Sequence, residues 1–404
     1  MHVPGWHKKT AELQRQGKLQ MVGIIQEQHP DRCRLFMQWK KMDWPIMVDS
    51  LDLLQVSVVP ITLAIDEHGI IRHILRRPNI DWLKNNFLNK TYAKPAGAND
   101  QPTTKPNIEE LQHRTTRSGQ NAKRAPALRA YANALATWGT AKDLNKAIKA
   151  YRRAIVEIPG DGWTHFRLAV TYRKRFDTRY RRAGDFQQAV DHWTRALDID
   201  PNNYIWRRRI QQYGPRLMKP YPFYDWVPTA RKEILARGDV PIKLTVEPGG
   251  AEFARPSRQF KSAAPTQKEP DPKGRIMRDT SLIQTEITVV PPIIEPGRTA
   301  RVHLVFRPND DKKAHWNNEA GESILWINPP PGWKVDSRLK KLPNDPKAVS
   351  REPRTAEVEV QCPKSTNPGT IKIPAYALYY VCEDADGKCL YRRQGVSISL
   401  KVGG

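Results

Sequence analysis

Two cysteines near the C-terminus, Cys382 and Cys389, are the residues of this chain best suited to chemistry. Tyr379 and Tyr380 precede the pair, and an Asp- and Gly-rich segment separates its members. An alternating apolar run follows at 396–400, so the pattern predicts two antiparallel strands joined by a short loop. Cysteines at the two strand ends would face each other at the short Cα separation that a disulfide requires. Such a bond either exchanges with a partner thiol or only staples the hairpin, and the spacing alone leaves both open.

Length and composition limit the remaining possibilities. A chain of 404 residues with 39% apolar residues and 34 prolines indicates several small domains with irregular connections. Its 67 basic and 42 acidic residues give a net charge of +25, which favours acidic partners. The basic residues are nevertheless spread along the chain, and no zinc-finger spacing or aromatic RNA-binding strand accompanies them. We therefore expect no nucleic-acid partner.

Targeting and metal-binding signals are also absent from the sequence. No apolar tract has the length of a transmembrane helix, so we expect no membrane span. The first eight residues lack the apolar core of a signal peptide, which predicts a cytoplasmic protein as written, and a periplasmic or secreted one if a signal precedes it in a longer reading frame.

Cys362 is a structural cysteine, a free thiol or a partner for Cys33. The cysteines lack the short paired spacings of zinc sites, and we expect neither a metal nor a cofactor.

The C-terminal segment resembles the N-terminal domain of the thiol:disulfide interchange protein DsbD over roughly residues 281–404. The resemblance rests on Tyr-Tyr-x-Cys ahead of Cys382, Cys-Leu-Tyr from Cys389, and the Pro-Gly-Trp turn at Trp333. It implies an immunoglobulin-like β-sandwich in which Cys382 and Cys389 are catalytic, with Tyr379 and Tyr380 at the substrate. A partner thiolate would attack the disulfide, and the second cysteine would resolve the mixed disulfide. Alternating patterns predict its strands at 283–290, 300–306, 333–335, 356–360, 369–378 and 396–402, with a further strand at 242–246 inside a linker region, 238–280.

Residues 1–90 carry a second resemblance, to thioredoxin-like redoxins of the TlpA and peroxiredoxin type. The pattern is a strand at 19–25, a helix from Asp31, a strand at 42–49, a hairpin at 61–74 and a closing helix. Val59 and Pro60 match the family's cis-proline loop, whose backbone binds the substrate polypeptide. The resemblance therefore predicts a cis Pro60 and assigns Val59 and Pro60 to substrate binding.

The same segment departs from the redoxin family in one respect. The family's first strand and its active Cys-x-x-Cys would lie before residue 1, and without them the dithiol cycle cannot run. We expect either that the chain is internal to a longer reading frame or that this is a degenerate redoxin. Cys33 is the remaining thiol here. Arg32, Arg34 and a helix start would favour its thiolate; the alternative is a structural cysteine.

A repeated spacing follows a predicted linker at 91–125. Ala-x3-aromatic-x2-Ala-x4-Pro occurs twice within 126–237 and resembles the second helix of a tetratricopeptide repeat. Its interface positions are Ala147, Tyr151, Ala154, Ala189, Trp193 and Ala196. Such repeats bind peptides in a groove, and the alternative is a small helical bundle. The residues that would line a groove, unless they only pack in the core, are Trp163, His165, Phe166, Tyr172 and Arg207 to Arg209.

Together these patterns predict a multidomain protein with α/β, all-α and all-β parts. These are a partial thioredoxin fold, tetratricopeptide-like repeats and an immunoglobulin-like sandwich. The function that they favour is thiol–disulfide exchange in the cell envelope, with protein thiols or disulfides as partners. The alternative is a non-catalytic scaffold in which the repeats bind a peptide and the disulfide is structural. The reduction potential of the Cys382–Cys389 pair distinguishes the two.

Overall fold

The computed structural model describes residues 2–56, 59–75, 79–97, 105–117, 124–216, 226–247, 260–263, 267–345, 347–383 and 387–404. It combines helices and β-sheets in two compact units, each assembled from separate stretches of chain. Unit 1 comprises Met1–Lys174, Ala196–Arg209 and Pro222–Val246; unit 2 comprises Arg175–Arg195, Ile210–Tyr221 and Glu247–Gly404. None of the described helices is both long and apolar enough to cross a membrane.

Unit 1 opens with short strands and helices in the order that the sequence predicts. They are α1 (His2–Arg15), β1 (Gly23–Ile25), α2 (Asp31–Lys40), β2 (Ile46–Val48), β3 (Thr62–Ile65), β4 (Ile71–Leu75) and α3 (Ile80–Leu83), which continues as a π-turn to Leu88. Strands β1 and β2 pair in parallel, and β3 and β4 form an antiparallel hairpin. Among the described residues these two pairs belong to separate sheets. The Val59–Pro60 peptide bond is cis, as predicted.

Helices make up the rest of unit 1. They are α4 (Ile108–Arg117), α5 (Arg124–Trp138), α6 (Leu144–Glu157), α7 (Gly162–Phe176), α8 (Asp185–Ile199), α9 (Tyr204–Gln211) and α10 (Trp226–Ala236). Helices α7 and α9 end in residues of unit 2, and α8 begins in unit 2 and ends in unit 1. A capping box in which Thr140 and Asp143 bond reciprocally precedes α6. The hydroxyl of Tyr151 on α6 and the side-chain amide of Asn133 on α5 are hydrogen-bonded at 2.7 Å. All six interface positions of the repeated spacing are at most 1% exposed, so the predicted burial is confirmed.

Unit 2 contains two sheets that share one apolar core. Their strands are β5 (Ile283–Val290), β6 (Ile293–Ile294), β7 (Thr299–Pro308), β8 (His315–Asn317), β9 (Ser323–Ile327), β10 (Lys334–Val335), β11 (Leu339–Leu342), β12 (Val349–Ser350), β13 (Arg354–Gln361), β14 (Gly369–Cys382) and β15 (Cys389–Val402). The first sheet has the order β10-β13-β7-β5 and the second β11-β9-β14-β15-β6, with β8 pairing β14 and β12. Core side chains alternate along the strands, as Val302, Leu304 and Phe306 do on β7.

Two predicted segments differ from the structure. The strand expected at 242–246 is not formed; there the backbone N–H of Ile242 donates to the Gln38 side chain on α2, and Leu244 packs with Leu35. The predicted linker at 91–125 includes helix α4, whose start is capped by Asn107 accepting from the N–H of Glu110 at 3.0 Å. Polar residues that suggested a loop therefore act as a helix cap and as an exposed helix face.

Candidate functional site

The candidate site lies where the two longest strands of unit 2 end. Cys382 and Cys389 are directly opposite in the register of β14 and β15 and form a disulfide, with a Cα–Cα distance of 4.0 Å. The bond closes a ladder that begins at Gly369 paired with Val402, so every residue of both strands is paired. The predicted hairpin and its disulfide are thus present, and the ladder holds both cysteines in place.

The face of the sheet decides which residues surround the disulfide. Successive side chains of a strand point to opposite faces, and Val381 and Tyr379 belong to the shared core. Cys382 and Tyr380 therefore lie on the outer face. Across the ladder Tyr380 pairs with Tyr391, and their rings stack at a centroid distance of 4.4 Å. A stacked tyrosine pair thus adjoins the disulfide.

The two sulfur-bearing residues differ in exposure. Cys382 is only 3% exposed, whereas Cys389 is an exposed residue. An incoming thiolate must approach one sulfur along the line of the S–S bond, and access decides which sulfur that is. The geometry therefore presents Cys389 to solvent and places Cys382 on the protein side of the bond.

The structure does not bring Tyr379 to this site. Its ring is fully buried, its hydroxyl donates to the side chain of Gln394 at 3.0 Å, and it meets Trp316 edge to face. Burial raises the pKa of the Tyr379 hydroxyl above its ordinary range, with Asp279 adding to the effect. Tyr379 is a core residue, and of the two tyrosines predicted to contact substrate only Tyr380 lies on the disulfide face.

Two further residues at the site were not identified from the sequence. Tyr391 lies on the disulfide face, and burial, followed by the effect of Tyr380, raises the pKa of its hydroxyl. His315, the first residue of β8, is the cross-strand partner of Cys382 on the side away from Cys389 and is 8% exposed. The Cys-Leu-Tyr motif contained a signal for Tyr391, but no local pattern connects His315 with a strand more than sixty residues away.

The backbone of Gly387 lies close to that of Glu383, the residue after Cys382. A Cβ atom on Gly387 would lie 1.2 Å from the carbonyl oxygen of Glu383, so only glycine fits there without a backbone shift. Asp384 and Asp386, which we predicted in the same loop, lie outside the described residues. The backbone conformation at this end of the hairpin therefore requires glycine at position 387.

The second predicted site, the Val59–Pro60 loop, belongs to unit 1. Val59 and Ile61, on either side of Pro60, are 46% and 40% exposed. The preceding segment is fixed by Arg167, which donates to the carbonyl oxygens of Leu51 and Asp52 at 3.2 Å each. This loop offers exposed backbone and apolar side chains, but the described residues beside it hold no dithiol.

The two remaining cysteines are free. Cys33 lies in the first turn of α2, but burial raises the pKa of its thiol, the Glu27 carboxylate adds to the rise, and Arg34 opposes it. Arg32, expected to stabilise the thiolate, lies 3.6 Å from the Glu27 carboxylate. These contacts favour the structural alternative for Cys33 over an activated thiolate. Cys362 is 1% exposed in the core of unit 2, as a structural cysteine would be.

Most residues that would line a repeat groove are buried. Phe166, Tyr172 and His165 are 0%, 5% and 6% exposed, and Arg209 is 1% exposed. The ring of Phe166 stacks on that of Trp206 at 5.7 Å. These side chains pack in the interior of the helical region and are not available to a peptide in this conformation.

Among the described residues no group of His, Cys, Asp and Glu has the arrangement of a metal site.

Comparison with known proteins finds no matching family model and no matching curated protein. Similar solved structures include AvmM, which catalyses macrocyclization in alchivemycin A biosynthesis (12% identity over 31% of this chain and 90% of that one, TM-score 0.20). They also include a protein of unknown function from Porphyromonas gingivalis W83 (20% identity, 30% and 47% of the two chains, TM-score 0.20). The bacterial hydrophobin BslA is a third (15% identity, 30% and 95%, TM-score 0.16). At these TM-scores the likenesses carry no argument about fold or function.

Proposed function

We propose that this chain belongs to the thiol-redox class and that unit 2 exchanges disulfides with a partner protein through Cys382 and Cys389. The observation that carries the proposal is the asymmetry of the pair: one cysteine of an outer-face disulfide is exposed and the other is nearly buried. A disulfide whose only task is to staple a hairpin gains nothing from an exposed sulfur. A disulfide that accepts electrons needs one sulfur within reach of the incoming thiolate.

In this proposal the exposed residue, Cys389, is the one attacked, and the buried residue, Cys382, is the leaving group. A partner thiolate attacks Sγ of Cys389, the Cys382–Cys389 bond breaks, and its electron pair goes to Sγ of Cys382. The product is a mixed disulfide between the partner and Cys389, with Cys382 as a thiol once it takes up a proton. Attack by a second partner thiol on the mixed disulfide releases Cys389 and completes a two-electron reduction. The stacked rings of Tyr380 and Tyr391 supply an apolar surface beside the attacked sulfur.

The remaining parts of the chain support the same class. We propose that unit 2 is an immunoglobulin-like sandwich of the DsbD type, that the segment around the cis Val59–Pro60 bond is thioredoxin-like, and that α5 to α8 are tetratricopeptide-like repeats. Two sheets around one core, the cis bond and the buried interface positions support these assignments. A disulfide persists in oxidising compartments, so the proposed location is the periplasm or outside the cell.

The deciding experiment is the reduction potential of the pair in the full chain, measured against a glutathione series. Potentials below about −300 mV are typical of structural bridges, so the proposal expects a clearly higher value. A Cys382→Ser variant incubated with oxidised glutathione should carry the adduct on Cys389, whereas Cys389→Ser should leave Cys382 largely unmodified. Peptide mass spectrometry reads both results and separates these sites from Cys33 and Cys362. A potential below about −300 mV, or equal labelling of the two cysteines, would refute the proposal.

A second candidate function is a scaffold in which the disulfide is purely structural. It is favoured by the burial of Cys382 and by its place at the end of an uninterrupted ladder of 14-residue strands. A short closed loop of this kind stabilises a fold by about 2–3 kcal/mol. For this candidate a Cys382→Ser, Cys389→Ser double variant would lose stability and would keep every binding activity.

A further inference from the structure

Three residues lie in one row across neighbouring strands at the end of unit 2. In the register of the seven-stranded sheet His315 on β8 is opposite Cys382 on β14, and Cys382 is opposite Cys389 on β15. Directly opposed residues of a sheet project to the same face, with Cβ atoms about 4.5–5.5 Å apart. The next residue of β8, Trp316, packs in the core with Val381. His315 therefore shares the outer face with the disulfide, on the side of its buried sulfur.

Burial separates the two ends of this row. His315 and Cys382 are 8% and 3% exposed, whereas Cys389 is an exposed residue. When an incoming thiolate takes Cys389, the sulfur that departs is the buried one, and a buried thiolate is costly without a proton or a hydrogen-bond donor. Imidazole is the side chain that most readily supplies a proton near neutral pH. An imidazole beside the departing Cys382 sulfur is therefore well placed to protonate that sulfur when the disulfide opens.

We infer that His315 is the proton donor to the departing Cys382 sulfur when the disulfide is opened. The imidazolium proton goes to Sγ of Cys382, the electron pair of the broken S–S bond remains on that sulfur as a lone pair, and the imidazole recovers its proton from water. On reoxidation His315 takes the proton from the Cys382 thiol, and the thiolate reforms the bond to Cys389. This role rests on the proposed exchange function, but it makes a chemical claim that can be tested without any protein partner.

Several charged residues lie beside His315 and the disulfide, and they bear on how a pH dependence of disulfide opening is interpreted. Lys313 precedes His315, and its carbonyl accepts from Arg351 at 3.2 Å. Glu383 follows Cys382 and Lys388 precedes Cys389, with the N–H of Glu383 bonded to the carbonyl of Lys388 at 3.4 Å. The attacking species of a small-molecule dithiol reductant is its thiolate, whose fraction itself rises with pH. Opening rates are therefore expressed per thiolate, and a difference in their pH dependence between the wild type and a His315 variant reports on the histidine.

The test measures opening of the disulfide in the full chain by dithiothreitol as a function of pH, with quenched alkylation and peptide mass spectrometry as the readout. His315→Leu removes the donor, and His315→Gln keeps a neutral N–H donor. His113→Gln, at an exposed position on α4, is the matched control for loss of a histidine. We expect His315→Leu to slow opening by about tenfold, the effect of a poorer leaving sulfur, and His113→Gln to leave the rate unchanged. His315→Gln should recover part of the rate and should lose the pH dependence attributed to the histidine.

Each outcome bears on the inference separately from the proposed function. Wild-type opening rates and an unchanged pH profile in both His315 variants would overturn the role of His315, even if the reduction potential supports exchange. Slower opening in His315→Leu together with a potential below about −300 mV would support the role of His315 and remove the exchange function. If His315→Leu fails to fold, the pH profile of His315→Gln decides, because an amide does not titrate.

Discussion

The segment before the Val59–Pro60 bond and the hairpin that carries Cys382 and Cys389 are held in place by opposite means. In unit 1, Arg209 donates to the carbonyl oxygens of Gln26 and Ser50 and to the Gln28 side chain. In unit 2 the hairpin is a β-ladder with one face in an apolar core. A short irregular segment has no ladder, so side-chain guanidinium groups satisfy its backbone carbonyls. The strands of a long hairpin satisfy each other's backbone groups, and their side chains form a core on one face and carry the disulfide on the other.

The largest expected loss of stability comes from removing the Arg209 guanidinium, which bonds the backbone carbonyls of unit 1. Arg209→Met keeps the apolar stem but leaves buried carbonyl acceptors without donors, and we expect a loss of about 3–5 kcal/mol from the free energy of unfolding. Arg153→Met, at an exposed position of α6, is the control and should change it by less than about 0.5 kcal/mol. Urea unfolding measures both variants. Equal midpoints would show that apolar packing, not the guanidinium, fixes the segment in unit 1.

The second prediction addresses the apolar side of the comparison. Ile398 on β15 is fully buried, whereas Ile74 on β4 is 70% exposed. Ile398→Ala should cost about 2–4 kcal/mol through lost burial and the cavity that remains. Ile74→Ala should stay within about 0.5 kcal/mol of the wild type. Thermal unfolding followed by circular dichroism checks the pair, and a large loss at Ile74 would show that the short hairpin of unit 1 buries that face against another surface in solution.

The third prediction tests how tightly the disulfide hairpin closes. Gly387→Ala places a Cβ against the Glu383 carbonyl, and the backbone shift should cost about 2–3 kcal/mol. The control is Gly395→Ala, whose Cβ meets nothing within 4 Å on the same strand pair. We also expect slower formation of the Cys382–Cys389 bond during oxidative refolding of Gly387→Ala. If both glycine variants refold and oxidise alike, the turn adapts easily, and closure does not depend on Gly387.

The same contrast explains what the sequence could predict. Alternating patterns in 283–290, 356–360 and 396–402 located strands because a half-buried ladder imposes a period of two on its residues. The Cys382–Cys389 pairing followed because its two members are close in sequence. His315 and the carbonyl contacts of Arg167 could not be predicted, because they depend on pairings between distant segments. The pKa of the Cys33 thiol could not be predicted for the same reason. Its neighbours in sequence favour a thiolate, but tertiary burial and the Glu27 carboxylate raise the pKa of the thiol.

The smallest expected effect is a pH dependence in the unit 1 segment. Asp52 is fully buried, and its carboxylate accepts from the side chain of Gln26 and from the N–H of Val56 at 3.1 and 3.0 Å. Burial raises the pKa of Asp52 to about 6; the bond from Val56 opposes the rise and the Asp49 carboxylate adds to it. The folded protein therefore keeps this proton over a range in which the unfolded chain, with a carboxyl pKa of about 4, has lost it.

The free energy of unfolding should therefore fall as the pH rises from about 4 to about 6, by about 1–2 kcal/mol from this group, and should then level off. Asp52→Asn removes the titration, and an amide can accept the same two hydrogen bonds. That variant should match the wild type near pH 4 and exceed it in stability near pH 7. Glu109→Gln, an exposed position on α4, should follow the wild-type curve. Urea unfolding across this pH range measures the three proteins, and an Asp52→Asn curve parallel to the wild type would place the pH dependence elsewhere.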